Sequence, residues 1–457
     1  MKLVSPISLL LVSIVQAAAA ITVAFTVHES APFAGRYLTT DATARLFLVV
    51  INVIFLGIAG YVWNRARTTP ELHDVVSKFA RLSLVFMCAA NFVVLSNHLL
   101  AAWIALEVTT LTAAPLIVRK GIQSSLRSSW RYFSFSTVGL GIALIGLMCL
   151  ARSVEVSGGT PTAFLDELRA SSSTADNLWR PIGLALVVLG YGTKLGLAPM
   201  YSWLPETYDA APPAVTALLA AVQFNCALVC LIRVLQVYRA SDPELVSTEL
   251  LVVGLLSMGV STVSIIATRN YKRLIAYASI NHAGVIAIGL AIGKSASYGV
   301  ILYVVSNAFI KAILFLTTGK IEAHYHTKDT RRVAGLIKDL PYSGLFLMVG
   351  TFALLGFPPF GSFLGELIIL SGLVRAKQVT VFVIFCAFIA LSFIATGRTI
   401  FPMIWGEPMK EVHWPRQSFL AAAPKLAFLV ALVAMGLYMP HDVSALFREV
   451  AASLGGE

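Results

Sequence analysis

The sequence predicts an all-α, polytopic membrane protein, and three observations predict it. Only 12% of the 457 residues are charged, while 58% are hydrophobic. A soluble domain of ordinary composition carries about 25% charge and 45–50% apolar residues. The apolar residues gather into runs of about 20 residues or more, the length that a hydrocarbon core about 30 Å thick requires. These runs do not alternate in polarity, as barrel strands would. A soluble enzyme, a disordered chain and a disulfide scaffold are excluded. The formal net charge of +11 would suggest nucleic acid in a soluble protein. In this composition it reads as basic loops under the positive-inside rule, so the expected partner is the bilayer and not nucleic acid.

Thirteen crossing segments are expected, near 4–27, 44–64, 80–97, 99–118, 130–151, 181–203, 211–237, 248–268, 274–293, 296–318, 341–372, 379–400 and 420–440. The first follows Lys2 and passes through Ala17 to Ala20, like a signal peptide. Its apolar run continues to Val27, too long for an h-region, so it reads as a helix. Of the 34 Lys and Arg residues, 21 fall on Lys2 and on alternate loops, including Arg65 and Arg67, Arg119 and Lys120, Lys272 and Arg273, Arg331 and Arg332, and Lys410 and Arg416. That bias predicts a cytoplasmic N-terminus and a C-terminus outside, in a bacterial inner membrane. The polar stretch 152–180, with Gly, Ser and Thr punctuation, is expected as a surface connection. The five cysteines lie in apolar stretches without a CxxC pair, so they read as buried packing residues. No iron–sulfur, haem or metal pattern and no nucleotide loop is present, and no cofactor is expected.

Four ionisable residues stand inside apolar runs: Glu107 in WIALEVTTLTAAPLIV, Lys194 in VLGYGTKLGLAPMYSWLPE, Lys311 in VVSNAFIKAILFL and Glu366 in GFPPFGSFLGELIIL. Charge at mid-membrane costs about 2.5–3.5 kcal/mol on insertion scales and persists where it faces protein or water. One such residue could be a fixed ion pair holding helices together. Two acids and two bases point to an ion pathway. Two of the four stand beside helix breakers. Lys194 precedes Pro199 and Pro205, and Glu366 follows Pro358, Pro359 and Gly361. Proline removes a backbone donor and clashes with the preceding turn, and broken backbone at membrane depth is tolerated only inside protein or beside water. Ordinary proline kinks are the plainer reading. The coincidence of kink and charge, twice, favours two inverted repeats, each with a broken helix. The repeats are expected at 80–237 and 248–400, flanked by N-terminal helices over 1–79 and a C-terminal helix and tail over 401–457. A polar, uncharged layer of Asn91, Gln223, Asn225, Asn281 and Asn307, with His282, could bond across helices or hold water. His282 can titrate near neutral pH, although a lone helical His is more often a satisfied interhelical residue. Lys272 and Arg273 read as an interface anchor.

With these residues in view the chain resembles the antiporter-like, proton-translocating membrane subunits of respiratory complex I and membrane-bound [NiFe] hydrogenases. The family's Lys, Pro, W-L-P-[DE] and A-P-x-x-[VG]-[ST]-x-L-L pattern is matched by Lys194, Pro199, Trp203 to Glu206, and Ala211-Pro212 to Leu219. KRLIAYASINHAG (272–284), NAFIKAILFLTTGKI (307–321) and GFPPFGSFLGE (356–366) match three further family motifs, and the resemblance covers about 40 to 405. WIALEVTTLT, SSWRYFSFSTVGLGIALIGL (128–147), Asn225 and Glu366 make it most similar to the hydrogenase-4 component F type. The resemblance implies that Glu107 pairs with Lys194, and that protons pass from Lys194 by Lys311 to Glu366. His282, Asn225 and Asn307 would lie beside this route. The subunit would carry no catalytic residue and would be driven by partners: other membrane subunits with a peripheral redox module. A coupling subunit of an inorganic-carbon (CO2/bicarbonate) uptake complex with a zinc-containing partner, or a cation/proton antiporter subunit, are the alternatives. The sequence departs from the family at three points. The family usually carries one more N-terminal helix than is expected here. Its His in H-A-x-x-K is Asn307, which cannot hold an excess proton. No long lateral helix is expected after 440.

Overall fold

The computed structural model describes residues 5–27, 32–69, 73–171, 177–239, 242–407 and 419–455. Lys2, Lys410 and Arg416 of the charge pattern lie outside these residues. The chain is helical almost throughout. Helix α1 (Pro6–Thr26) is followed by a two-residue ladder, β1 (Pro32–Phe33) and β2 (Leu38–Thr39). Then come α2 (Ala42–Thr68), α3 (His73–Leu95), α4 (Leu99–Ile117), α5 (Gln123–Val156) and the short α6 (Leu165–Ser171). A first interrupted helix comprises α7 (Trp179–Leu195) and α8 (Trp203–Ala210). A continuous span follows, made of α9 (Pro213–Ala217), a π-helical turn (Leu218–Gln223) and α10 (Phe224–Arg239). Helices α11 (Pro243–Ala267), α12 (Tyr271–Ile292) and α13 (Ser297–Tyr325) lead through α14 (Leu336–Asp339) to the second interrupted helix, α15 (Pro341–Leu354) and α16 (Gly361–Arg375). The chain closes with α17 (Val379–Trp405), α18 (Phe419–Leu437) and α19 (His441–Gly455).

Eleven helices among the described residues are long and apolar enough to cross a membrane. The two other expected segments, 181–203 and 341–372, are each split into a pair of shorter helices. Burial sorts the spans. The most apolar windows of α9–α10 and α13 are wholly buried, whereas those of α17 and α18 are 22% buried. Helices apolar all round and buried all round form the centre, while the outer ones present apolar faces to lipid. The expected surface connection at 152–180 is more than that. Within it α6 buries Leu165 and Leu168, and His98 bridges Phe164. Helix α19, absent from the expectation, is tied across the bundle end by Glu449 to the buried Arg45 and by Ser453 to Gln236.

Both interruptions are written in the backbone. Helix α7 ends at Gly196, whose φ of 74° suits glycine, and Pro199 follows. Helix α15 ends before Gly356, φ 68°, and Pro358–Pro359. The freed backbone groups find partners. Trp203 Nε1 donates to Thr193 O at 2.8 Å, Ala198 N donates to Ser257 Oγ at 2.9 Å, and Ser362 Oγ donates to Ala353 O at 2.7 Å.

Small residues set the approach of α5 to α7. A Cβ on Gly190 would lie 2.4 Å from Ala143 N, and one on Gly139 would lie 2.6 Å from Thr193 Cβ. At the second interruption, a Cβ on Gly436 would lie 1.7 Å from Pro359 O, and backbone cannot step aside cheaply. Gly436→Ala is therefore expected to destabilise the chain by about 1–3 kcal/mol, read as a lower midpoint of thermal unfolding in detergent, while Gly141→Ala, in α5, where an added Cβ meets nothing within 4 Å, leaves the midpoint at or above the parent value.

Candidate functional site

The four membrane-depth charges sit on four different helices: Glu107 on α4, Lys194 on α7 one residue before its end, Lys311 on α13 and Glu366 on α16. Lys194 is 3% exposed and Lys311 is 1% exposed; Glu107 and Glu366 are half-buried.

Around Lys194 the polar atoms form one connected cluster. Lys194 Nζ donates to Thr110 Oγ1 at 2.7 Å and to Tyr132 OH at 3.4 Å, and lies over the Tyr132 ring, 4.8 Å from its centroid. The one Thr110 hydroxyl proton is shared between Glu107 Oε2 at 3.4 Å and Leu106 O at 3.3 Å, and Thr137 Oγ1 donates to Glu107 Oε1 at 2.9 Å. Glu107 and Lys194 are thus joined through a hydroxyl, not by direct contact. Thr110 stands one turn after Glu107, on the same face of α4. The cluster continues inward: Tyr132 OH donates to Gln223 Oε1 at 2.9 Å, and Gln223 Nε2 donates to Thr109 Oγ1 at 3.0 Å.

The centre is different. Lys311 Nζ makes no hydrogen bond with protein and lies 3.8 Å from the centroid of the Phe224 ring, a cation–π contact. Asn225 spends its amide N–H on Ala221 O of its own helix, at 2.5 Å, and its Oδ1 has no partner. Both side-chain atoms of Asn307 and the Ser306 hydroxyl are likewise buried and unpartnered.

At the far side, His282 Nδ1 and Tyr303 OH are hydrogen-bonded. Both line a cavity of about 30 Å³, with Asn281, Glu366, Ser392 and Thr396, which is room for one or two waters. The carboxylate of Glu366 rests against Gly356: a Cβ there would lie 2.7 Å from its Oε2. Asn281 is held by Ser261 at 3.1 Å and by Ser392 at 3.3 Å, and Asn91 by Asn52 at 2.7 Å. His282 is therefore both an interhelical residue and a neighbour of Glu366. Pro199, Pro358 and Pro359 stand in the interruptions, whereas Pro205 falls in the first turn of α8.

One group escaped the sequence reading. Lys272, expected as an interface anchor, is fully buried. Its Nζ donates to Asp209 O at 3.0 Å, to Ala211 O at 3.1 Å and to Glu322 Oε2 at 3.3 Å. Glu322 also pairs with Arg119 at 2.9 Å, and Asp209 pairs with Lys328 at 2.9 Å and with Arg273 at 3.2 Å. This network ties the end of α8 to α12, α13 and the α4–α5 turn. Its members lie far apart in the chain, and no periodicity links them. Beside it, hydrogen bonds from Arg331 hold Asp329 down at about 2, so that loop pair stays charged throughout the physiological range.

The transmembrane family described as "NADH:quinone oxidoreductase/Mrp antiporter" matches residues 96–392, which is well over half of the chain. The chain belongs to this family. The match spans α4 to α17 and so takes in all four membrane-depth charges and both interruptions. Among relatives of the family, the "Hydrogenase-4 component F homolog" of Methylacidiphilum infernorum is 28% identical over 436 residues, covering 92% of this chain and 89% of that protein. The "NADH-quinone oxidoreductase subunit N" of Salinibacter ruber is 27% identical over 437 residues, covering 90% and 84%. In fold, the chain is similar to a subunit of an archaeal membrane-bound sulfane sulfur reductase, described as a respiratory membrane complex. The TM-score is 0.88 at 21% identity, over 99% of this chain and 92% of that one.

Removing the Glu322 carboxylate leaves the buried Lys272 ammonium without its ion-pair partner and facing Arg119, while Asp209 stays with Lys328 and Arg273. Breaking a buried pair in this way costs about 3–5 kcal/mol. Glu322→Gln is therefore expected to lower the unfolding midpoint well below that of Glu155→Gln, whose exposed pair with Arg152 contributes about 1 kcal/mol or less.

Proposed function

We propose that this chain is a proton-translocating membrane subunit of a multi-subunit energy-coupling complex driven by a redox module. The observation that carries the reading is the cluster Glu107–Thr110–Lys194–Tyr132–Gln223 inside a chain of this family. A hydroxyl can accept from an ammonium and donate to a carboxylate at once. Thr110 therefore couples the two charges without locking them, and a small shift of the α7 end separates them. With the couple closed, Lys194 is linked to the carboxylate through Thr110; with it open, that link is lost and the proton can move on. Protons then cross the centre towards Lys311 and reach Glu366 beside His282. At the centre, the unpartnered groups of Asn225, Ser306, Asn307 and Lys311 are of the kind that ordered water holds. Water there carries the step that a titratable His would otherwise carry.

The halves 80–237 and 248–400 act as two inverted repeats, each contributing one interrupted helix, between the flanking parts 1–79 and 401–457. The excess of Lys and Arg on alternate loops supports a cytoplasmic N-terminus, a C-terminus outside and a bacterial inner-membrane location. The relatives named for hydrogenase and NADH–quinone oxidoreductase support other membrane subunits and a peripheral redox subunit as partners. They favour this reading over a carbon-uptake complex with a zinc partner and over an antiporter.

Two measurements in the intact complex reconstituted in proteoliposomes test the path. Lys194→Met, Glu107→Gln and Glu366→Gln are each expected to reduce proton pumping at least tenfold per turnover of the driving module; undiminished pumping in any of the three removes that residue from the path. Thr110→Val deletes a hydrogen bond to a charged group, of about 1.5–3 kcal/mol, and is expected to lower pumping about tenfold or more. Thr110→Ser keeps the hydroxyl and is expected to pump at close to the parent rate.

A further inference from the structure

We propose that a basic cavity between α2, α13, α15 and α18 binds the phosphate of an anionic phospholipid. The cavity measures about 210 Å³ and is lined by Arg65, Lys320 and Lys425, with the polar groups of Tyr61, Asn64 and Ser343. No Asp or Glu is among the described residues that line it. Three cations around one hollow repel one another and favour an anion between them.

Lys425 is the decisive residue. It is 5% exposed, and its ammonium meets the Phe346 ring, 4.8 Å from the centroid. Among the described residues no carboxylate pairs with it, in contrast to Lys272 and Lys328, which have theirs. A buried ammonium with a ring on one side and a polar cavity on the other is poised to meet an anion. Ser343, in the first turn of α15, brings that helix's N-terminus to the cavity, and Ala421 and Ala422 bring the first turn of α18. Helix N-termini direct free N–H groups and positive potential at a bound phosphate.

The surroundings favour lipid over a free anion. Leu345, Leu420 and Leu426, on the same two helices, are 39%, 47% and 39% exposed. They provide apolar surface along which acyl chains can lie while the phosphate enters the basic hollow. The cavity is also at the bundle end where the basic loops gather, and basic pockets between transmembrane helices on such a face hold anionic head groups.

The test is native mass spectrometry of the purified complex carrying parent or variant chain, equilibrated with phosphatidylglycerol and phosphatidylcholine. The parent is expected to retain phosphatidylglycerol selectively. Lys320→Gln and Arg65→Gln, on partly exposed side chains, and Lys425→Met, which keeps packing on Phe346, are expected to weaken retention by about fivefold for each charge removed. The unfolding midpoint of each variant complex without added lipid serves as the control for folding. Equal retention in the parent and the triple variant overturns the proposal. In a second arm, phosphatidylglycerol is expected to raise the thermal midpoint of the delipidated complex and inorganic phosphate is not. An equal rise with phosphate, absent in the triple variant, overturns lipid as the occupant.

Discussion

A helix interrupted at membrane depth must find partners for the backbone groups it frees, because lipid supplies none. In this chain that requirement organises the bundle. The carbonyl of Thr193 and the amide of Ala198 are met by Trp203 and by Ser257 of α11, and the carbonyl of Ala353 is met by Ser362. Each interruption is therefore locked to fixed neighbours. Lys194 stands one residue from the first, and Glu366 packs against Gly356 of the second. The charges are held where the backbone is already polar, and the small-residue seams bring the supporting helices close enough to serve.

The charges are accommodated differently at each place. Lys194 has two hydroxyl acceptors and an aromatic face, and through Thr110 it reaches a carboxylate. Lys311 has an aromatic face alone. Lys272 has three oxygen acceptors that occupy all its donors. A lysine with every donor engaged is a structural clamp. One with a single mobile link to a carboxylate can change state at small cost. On the proposed path, the contrast between Lys272 and Lys194 separates architecture from chemistry among buried lysines.

Much of this was legible in the sequence. Run length and low charge specified the bundle, and the prolines and glycines beside Lys194 and Glu366 specified the interruptions, because those residues act on their own stretch of backbone. The four charges were legible as exceptions to an apolar rule. What the sequence could not show was which groups meet. Thr110, Tyr132 and Tyr303 are ordinary residues in apolar helices until α4, α5, α7 and α13 are packed. The network of Lys272, Glu322, Asp209 and Arg119 joins residues up to 203 positions apart. The same limit explains α19, whose hold on Arg45 and Gln236 depends on helices distant in the chain.

The two sides of the site differ in a way that bears on direction of control. Between Glu107 and Gln223 each polar side chain of the cluster has a partner, so this side is nearly saturated. Between Asn225 and Lys311 the buried polar groups are unsatisfied, and the Phe224 ring stands against the Lys311 ammonium. An aromatic face stabilises an ammonium but cannot accept its proton. On the proposed path a proton leaving Lys311 passes to water, and the unpartnered groups of Asn225 and Asn307 can hold that water without competing for the charge. In a path built this way the Glu107–Thr110–Lys194 couple sets when a proton is offered. Hydration beside Phe224 sets whether it crosses. The rate-controlling element of that path would then be the unpartnered buried polar groups around Lys311, where this chain carries asparagine in place of a titratable group.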